Sequence, residues 1–216
     1  LGYYSRARNL HKTAQQIAFE LDGNFPSSYK ELLKLKGIGE YTAAAIASFA
    51  YNENVPVVDG NVFRVLSRYF DIETDIASAG AKKEFTLLAS ELLPKGKANL
   101  FNQAIMEFGA LQCVPKNPDC TSCVLNDSCL ALQKKKVAQL PVKLKKTKVT
   151  PKFFNYLVFL DEDGNTLINK RTEKGIWHNL YQFPLLETAT ALDDETILSL
   201  IKDQNFIANE IDTIAL

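Results

Sequence analysis

Four cysteines fall within seventeen residues, as Cys113, Cys120, Cys123 and Cys129, separated by six, two and five positions. Thiols packed this densely share a ligand or pair as disulfides, and a lysine-rich chain gives no sign of the oxidising compartment that disulfides need. Four thiolates also satisfy the tetrahedral shell of a structural zinc ion. Zinc sites usually present two paired knuckles, however, and here only Cys120 and Cys123 form such a pair. A four-iron cluster is larger than one ion and can be enclosed by a loop of this kind, so the spacing favours the cluster over zinc. The same loop carries Lys116 between Pro115 and Pro118, either as a solvated turn residue or as a contact to a phosphate backbone.

Two further features could do chemistry. Lys36-Gly37-Ile38-Gly39 lies between two expected helices, and glycines at 37 and 39 permit positive φ, so backbone N–H groups can be offered to an anion where the next helix begins. Twenty residues after Gly39, Val57-Val58-Asp59-Gly60-Asn61 sets an acid between an apolar run and a helix. Asp59 is placed to cap that helix, and a capping carboxylate stays ionised beside the helix dipole, where it can stabilise a cationic transition state.

The elements that must position these groups are mostly helical. Apolar residues at Leu10, Ala14, Ile17, Ala18 and Leu21 predict a helix over 6–21, ending near Gly23. Ser27 or Ser28, with Glu31, starts a short helix over 29–35. An alanine-rich helix over 41–51 and three more over 62–70, 82–93 and 99–111 complete an all-α region to about residue 130. Seven lysines and no acid between 134 and 148 read as a linker. Beyond it Tyr156, Val158 and Leu160 alternate, Asp161 to Gly164 makes a turn, Thr166 to Ile168 starts a return strand, and Ile197 to Ile201 suggests one helix. The formal charge of zero divides the same way: residues 1–150 hold 20 basic and 14 acidic side chains, and residues 151–216 hold 5 and 11. A basic helical unit fits a nucleic-acid partner, which the neutral total conceals. No apolar run approaches the roughly 20 residues of a membrane span.

The glycine hairpin, the aspartate and the cysteine spacing together resemble the helix-hairpin-helix DNA glycosylases with an iron-sulfur cluster. Tyr41 stands where bifunctional members of that superfamily carry a Schiff-base lysine. Asp59-Gly60-Asn61 and the opening Gly2-Tyr3-Tyr4-Ser5-Arg6 are similar to the adenine glycosylases of the MutY kind. The resemblance implies a mainly α, helix-hairpin-helix glycosylase fold over 1–133 with its cluster loop at 113–129, a lysine-rich linker over 134–150, and a partial α/β Nudix-like domain over 151–216. Gly175-Ile176-Trp177-His178 resembles that domain's tryptophan loop, with Trp177 either a core anchor or a lesion contact.

It further implies a monofunctional enzyme that flips adenine from a mispair with 8-oxoguanine or guanine and hydrolyses its N-glycosidic bond. Asp59, Tyr41 and Asn61 would be catalytic. Tyr3, Gly37, Ile38, Gly39, Gln103 and Lys116 would bind DNA, with Tyr3 as a wedge and Gln103 facing the adenine. Cys113, Cys120, Cys123 and Cys129 would hold a [4Fe–4S] cluster. The expected partner is double-stranded DNA with an adenine mismatch, and the expected state is a monomer in a bacterial cytoplasm, with the nucleoid. The family's proton-donating glutamate has no match near the start of the chain, so residues 1–216 alone are expected to be a fragment without turnover. A thymine- or pyrimidine-directed glycosylase and a non-catalytic metal-stabilised DNA-binding module are the alternatives.

Overall fold

A computed structural model describes residues 4–144 and 149–203, and the chain divides into two compact units, Leu1–Lys146 and Thr147–Leu216. Tyr3 lies outside the described residues.

In the first unit α1 (Tyr4–Glu20) leads to α2 (Tyr29–Leu32), which is capped by the Ser28 hydroxyl accepting from the Glu31 N–H at 3.3 Å. The chain continues past α2 as turns to Leu35, so the helix expected to reach residue 35 stops one turn short. The expected inner stripe of α1 is also rotated. Thr13, Ile17 and Leu21 face the core, while Leu10, Ala14 and Ala18 are exposed. A polar contact accompanies this facing: Thr13 Oγ1 donates to the Lys36 carbonyl at 2.7 Å.

α3 (Glu40–Tyr51) buries Ala43, Ala44, Ala47 and Ser48, small side chains that let neighbouring helices approach closely. Ala43 and Ala47 pack with Leu32 and Leu35 in one core cluster. α4 (Gly60–Phe70), α5 (Ala81–Leu92) and α6 (Ala98–Leu111) follow. A second cluster forms where Val62 and Leu66 of α4 meet Ala81, Phe85 and Ala89 of α5, with the Phe63 and Phe85 rings edge to face at 4.8 Å. The cysteine loop then runs to α7 (Leu130–Gln133).

The lysine-rich stretch expected as a linker from residue 134 is held against this unit as far as Leu144. Lys134 and Lys136 pair with Asp71, Lys136 also with Glu73, and Leu140 is buried. The Ile76 N–H donates to the Val142 carbonyl at 3.0 Å. Composition announced a solvated linker because it cannot show that these lysines find carboxylates on the turn after α4.

In the second unit β1 (Phe153–Tyr156) pairs antiparallel with β4 (Leu185–Thr188), and β2 (Asn169–Lys170) with β3 (Tyr181–Gln182). The expected hairpin across Asp161–Gly164 is reduced to its turn and one bridge, Leu160 to Thr166. The alternation also has the opposite phase: Leu157 and Phe159 pack against Ile197 of α8 (Asp194–Asp203), leaving Val158 and Leu160 exposed. Apolar residues occupy both parities from 157 to 160, so period two alone could not choose a face. Among the described residues no helix is long and apolar enough to cross a membrane.

Candidate active site and cysteine loop

The hairpin between α2 and α3 rests on α1. Gly37 has φ +80°, and a Cβ there would lie 2.5 Å from Asn9 Cβ, so both conformation and space require glycine. Gly39 does not use the positive φ that glycine permits. It is extended, at φ −91° and ψ 176°, with open space around its α-carbon, and it caps α3 without a side-chain hydrogen bond. The first amides of α3 therefore have no partner within the helix and none from a capping side chain, which is the geometry that receives a phosphate. Ile38 turns inward onto the core formed by Leu32, Leu35, Ala43 and Ala47. Tyr41 stands half exposed in the first turn of α3, and Glu40 beside it pairs with Lys82.

Asp59 caps α4. Its Oδ1 accepts from the N–H groups of Asn61 and Val62, both at 2.8 Å, and its Oδ2 accepts from Asn61 Nδ2 at 3.0 Å. The Asn61 amide is fixed in turn, because its Oδ1 accepts from Arg64 Nη2 at 2.8 Å. Arg64 is only 8% exposed; Nη2 also donates to the Gly109 carbonyl at 2.6 Å and Nε to the Cys113 carbonyl at 2.7 Å. Burial pulls its guanidinium below the usual arginine value; facing Cys113 opposes that, Arg68 adds to it, and Asp59 opposes it. At Gly109 a Cβ would stand 2.7 Å from Asn61 Cβ, so glycine lets α6 close upon Asn61. Asp59, Asn61, Arg64 and the first cysteine thus form one continuous hydrogen-bonded chain.

Cys113, Cys120, Cys123 and Cys129 line a common cavity, and all four are free thiols. Burial raises the Cys120 thiol above the usual cysteine value, and the other three cysteines push it further, against the pull of Arg68. Among the described residues no three acidic, histidine or cysteine side chains converge closely enough for one metal ion. Four cysteine sulfurs round one cavity are a donor set suited to a tetrahedral zinc ion or to a larger iron-sulfur group. Arg68, 2% exposed, frames this cavity: it donates to Cys113 Sγ at 3.4 Å, to the carbonyls of Val114 and Pro115 at 2.8 and 3.0 Å, and to that of Leu140 at 2.9 Å.

The structure brings Asp59 to Asn61 and gathers the four cysteines. Among the described residues no hydrogen bond joins Tyr41 to Asp59. Gln103 is exposed on α6, and Lys116 is exposed on the cysteine loop. Sequence reasoning missed Arg64, Arg68, Asn102 and Gly109. The signal that could have found the arginines is their spacing of four on the apolar helix that follows Asp59, where a solvated cation is out of place.

Residues 1–93 match the family model described as HhH-GPD superfamily base excision DNA repair protein. That stretch of the chain is similar to the superfamily. It is 38% identical over 188 residues to an adenine DNA glycosylase of Buchnera aphidicola subsp. Schizaphis graminum, an alignment covering 87% of this chain and 54% of that protein. Along most of its length the chain is similar to proteins named adenine DNA glycosylase, and it spans about half the length of the curated relatives it matches. The structure of a thermostable thymine-DNA glycosylase superposes with a TM-score of 0.55 at 33% identity, covering 60% of this chain and 59% of the other. A non-covalent endonuclease III–DNA complex gives 0.52 at 28% identity, covering 62% and 60%. The first unit therefore has the mainly helical glycosylase fold of that superfamily.

Proposed function

We propose that the protein is a monofunctional glycosylase of base-excision repair that hydrolyses the N-glycosidic bond of adenine mispaired with 8-oxoguanine or guanine in double-stranded DNA. The observation that carries this reading is the Asp59 carboxylate, held at the N-terminus of α4 with both oxygens fixed and a hydroxyl-bearing Tyr41, not an amine, on α3. The relatives bearing the name adenine DNA glycosylase support adenine as the leaving base.

An adenine stacked in the duplex cannot be reached, so it is turned out toward the protein. Bond cleavage builds positive charge on the sugar. Asp59 Oδ1 has both lone pairs committed to backbone donors, whereas Oδ2, among the described residues, accepts only from Asn61 and keeps one lone pair to face that charge. Asn61 acts through Asp59, since its nitrogen donates to the carboxylate and its oxygen is taken by Arg64. Tyr41 orients the sugar and the attacking water. Without a lysine amine no Schiff base forms and no strand is cut. Gly37, Ile38 and Gly39 seat a phosphate, Lys116 another, Tyr3 wedges the base stack and Gln103 meets the flipped adenine. Cys113, Cys120, Cys123 and Cys129 would hold a [4Fe–4S] cluster, which when bound cross-links the loop that carries Lys116. Residues 151–216 serve lesion recognition as a partial Nudix-like domain, with Trp177 partly exposed.

The test gives the gene's full product a panel of duplexes. Adenine release from 8-oxoguanine:adenine and guanine:adenine is expected, with Asp59→Asn keeping duplex affinity while losing turnover. Thymine release from guanine:thymine without adenine release overturns the substrate. Colourless protein with one zinc per chain overturns the cluster.

A further inference from the structure

We propose that Asn102 is a positioning residue for Asp59, rather than a buried packing residue of α6. This rests on the reading of Asp59 as the group that faces the sugar cation.

Asn102 is 1% exposed. Its Oδ1 accepts from the Val57 N–H at 3.0 Å and its Nδ2 donates to the Val55 carbonyl at 2.9 Å. One residue pairing with the C=O before and the N–H after a neighbour is the pattern of a parallel β-ladder. Here a side-chain amide on a helix supplies that rung to an extended segment. The enclosed residue is Pro56, whose fixed φ and missing N–H suit a position where no second partner is available. A further amide pair secures the start of the same segment: Asn52 Nδ2 donates to the Gly96 carbonyl at 2.9 Å, and the Asn99 N–H donates to Asn52 Oδ1 at 3.2 Å.

The placement gives this clamp a consequence for chemistry. Val57 is buried, Val58 packs on the α4–α5 core, and Asp59 follows in extended conformation before α4 begins. Asn102 and Gly109 are seven residues apart on α6, two turns along one face. Asn102 grips Val57, two residues before Asp59, and Gly109 meets Asn61, two residues after it. The carboxylate is thus suspended between two points of a single helix, the one that also carries Gln103. Its own capping bonds are local to α4 and survive loss of the clamp, so α4 stays capped while the carboxylate drifts relative to α6. Misplacement of a reacting group by 1 Å can cost about 100-fold in rate.

The experiment uses the cluster-loaded full product of the gene with Asn102→Ala and Asn102→Asp. Aspartate keeps the shape and accepts from Val57, but sets an oxygen against the Val55 carbonyl. Two abasic duplexes serve as probes, one with a neutral tetrahydrofuran and one with a cationic pyrrolidine in place of the sugar. Both variants are expected to bind the neutral duplex within about threefold of the unsubstituted protein, to lose about tenfold or more of the preference for the cationic one, and to release adenine about 100-fold more slowly at unchanged half-saturating duplex. Asn102→Asp is expected to be no better than Asn102→Ala, which a volume effect would not produce. Retained cationic preference in both variants overturns the proposal, as does loss of neutral-duplex affinity together with turnover. An unsubstituted protein that prefers the cationic probe yet releases no adenine sinks the substrate assignment and leaves the positioning role standing.

Discussion

Replacing Arg64 with methionine tests whether the hydrogen-bonded chain from Cys113 to Asp59 sets both stability and turnover. The side chain keeps most of its volume, so packing is largely preserved, while three short bonds of 2.6–2.8 Å disappear together. They leave the carbonyls of Gly109 and Cys113 and the amide oxygen of Asn61 without donors, at about 1–3 kcal/mol each, and partial relaxation brings the total to about 3–5 kcal/mol. One of the three bonds restrains Asn61, the donor to Asp59. Losing a charge-assisted bond worth about 1.5–3 kcal/mol corresponds to roughly 10–100-fold in single-turnover adenine release. Denaturant midpoints of the holoprotein give the first quantity, and rapid-quench release from an 8-oxoguanine:adenine duplex gives the second. Arg64→Lys separates charge from geometry, because one ammonium cannot reach three acceptors that a planar fork meets at once. Turnover by Arg64→Met within about threefold of the parent, or full recovery with lysine, would refute the reasoning.

Three further outcomes follow from particular contacts. Gly109→Ala drives a Cβ to within 2.7 Å of Asn61 Cβ and is expected to cost about 1–3 kcal/mol in melting experiments, with turnover falling alongside. Gly37→Ala meets Asn9 at 2.5 Å in a left-handed conformation and is expected to weaken binding to matched and mismatched duplexes alike, whereas Gly39→Ala has room and an ordinary backbone and leaves the melting midpoint within about 0.5 kcal/mol. Lys134 and then Lys136 hold the Asp71 carboxyl below the usual aspartate range. A group lowered on folding contributes stability at every pH above its unfolded value and loses it as the pH falls toward its folded one. Proteolysis within 134–144 should therefore accelerate on the acid side of the ordinary carboxylate range and stay flat around neutrality; a flat response through acid would break the link.

Much of this was legible in the residues because the helices carry strong 3.6-residue patterns, and because Asp59 follows an apolar run at a position where a helix must start. The cysteine spacing likewise announced one shared cavity. What supports these groups was not legible. The spacing of Arg64 and Arg68 on an apolar helix hints that they are not solvated, but only their carbonyl acceptors, 45 to 72 residues away, explain their burial. Asn102 beside Gln103 is equally opaque, since two adjacent amides on a helix point to different surroundings and sequence does not say which turns inward. In the second unit the failure was of phase. Apolar residues on both sides of the strand after Tyr156 left the choice to α8, whose Ile197 and Ile201 select Leu157.

The two buried guanidiniums of α4 also set a timetable for the chain as it leaves the ribosome. Apart from the Gly60 carbonyl and the Asn61 amide oxygen that Arg64 meets locally, their acceptors at 109, 113, 114, 115 and 140 are synthesised later, the last of them 72 residues after Arg68. At about 5–20 residues per second, Arg68 spends about 4–14 s without its final partner. Until residues 109–115 are made, α4 can form as a local helix but burial of Arg68 is opposed, because a buried cation without acceptors is costly. The last of the Arg68 bonds, to the Leu140 carbonyl, is thus completed from the far side of the cysteine loop.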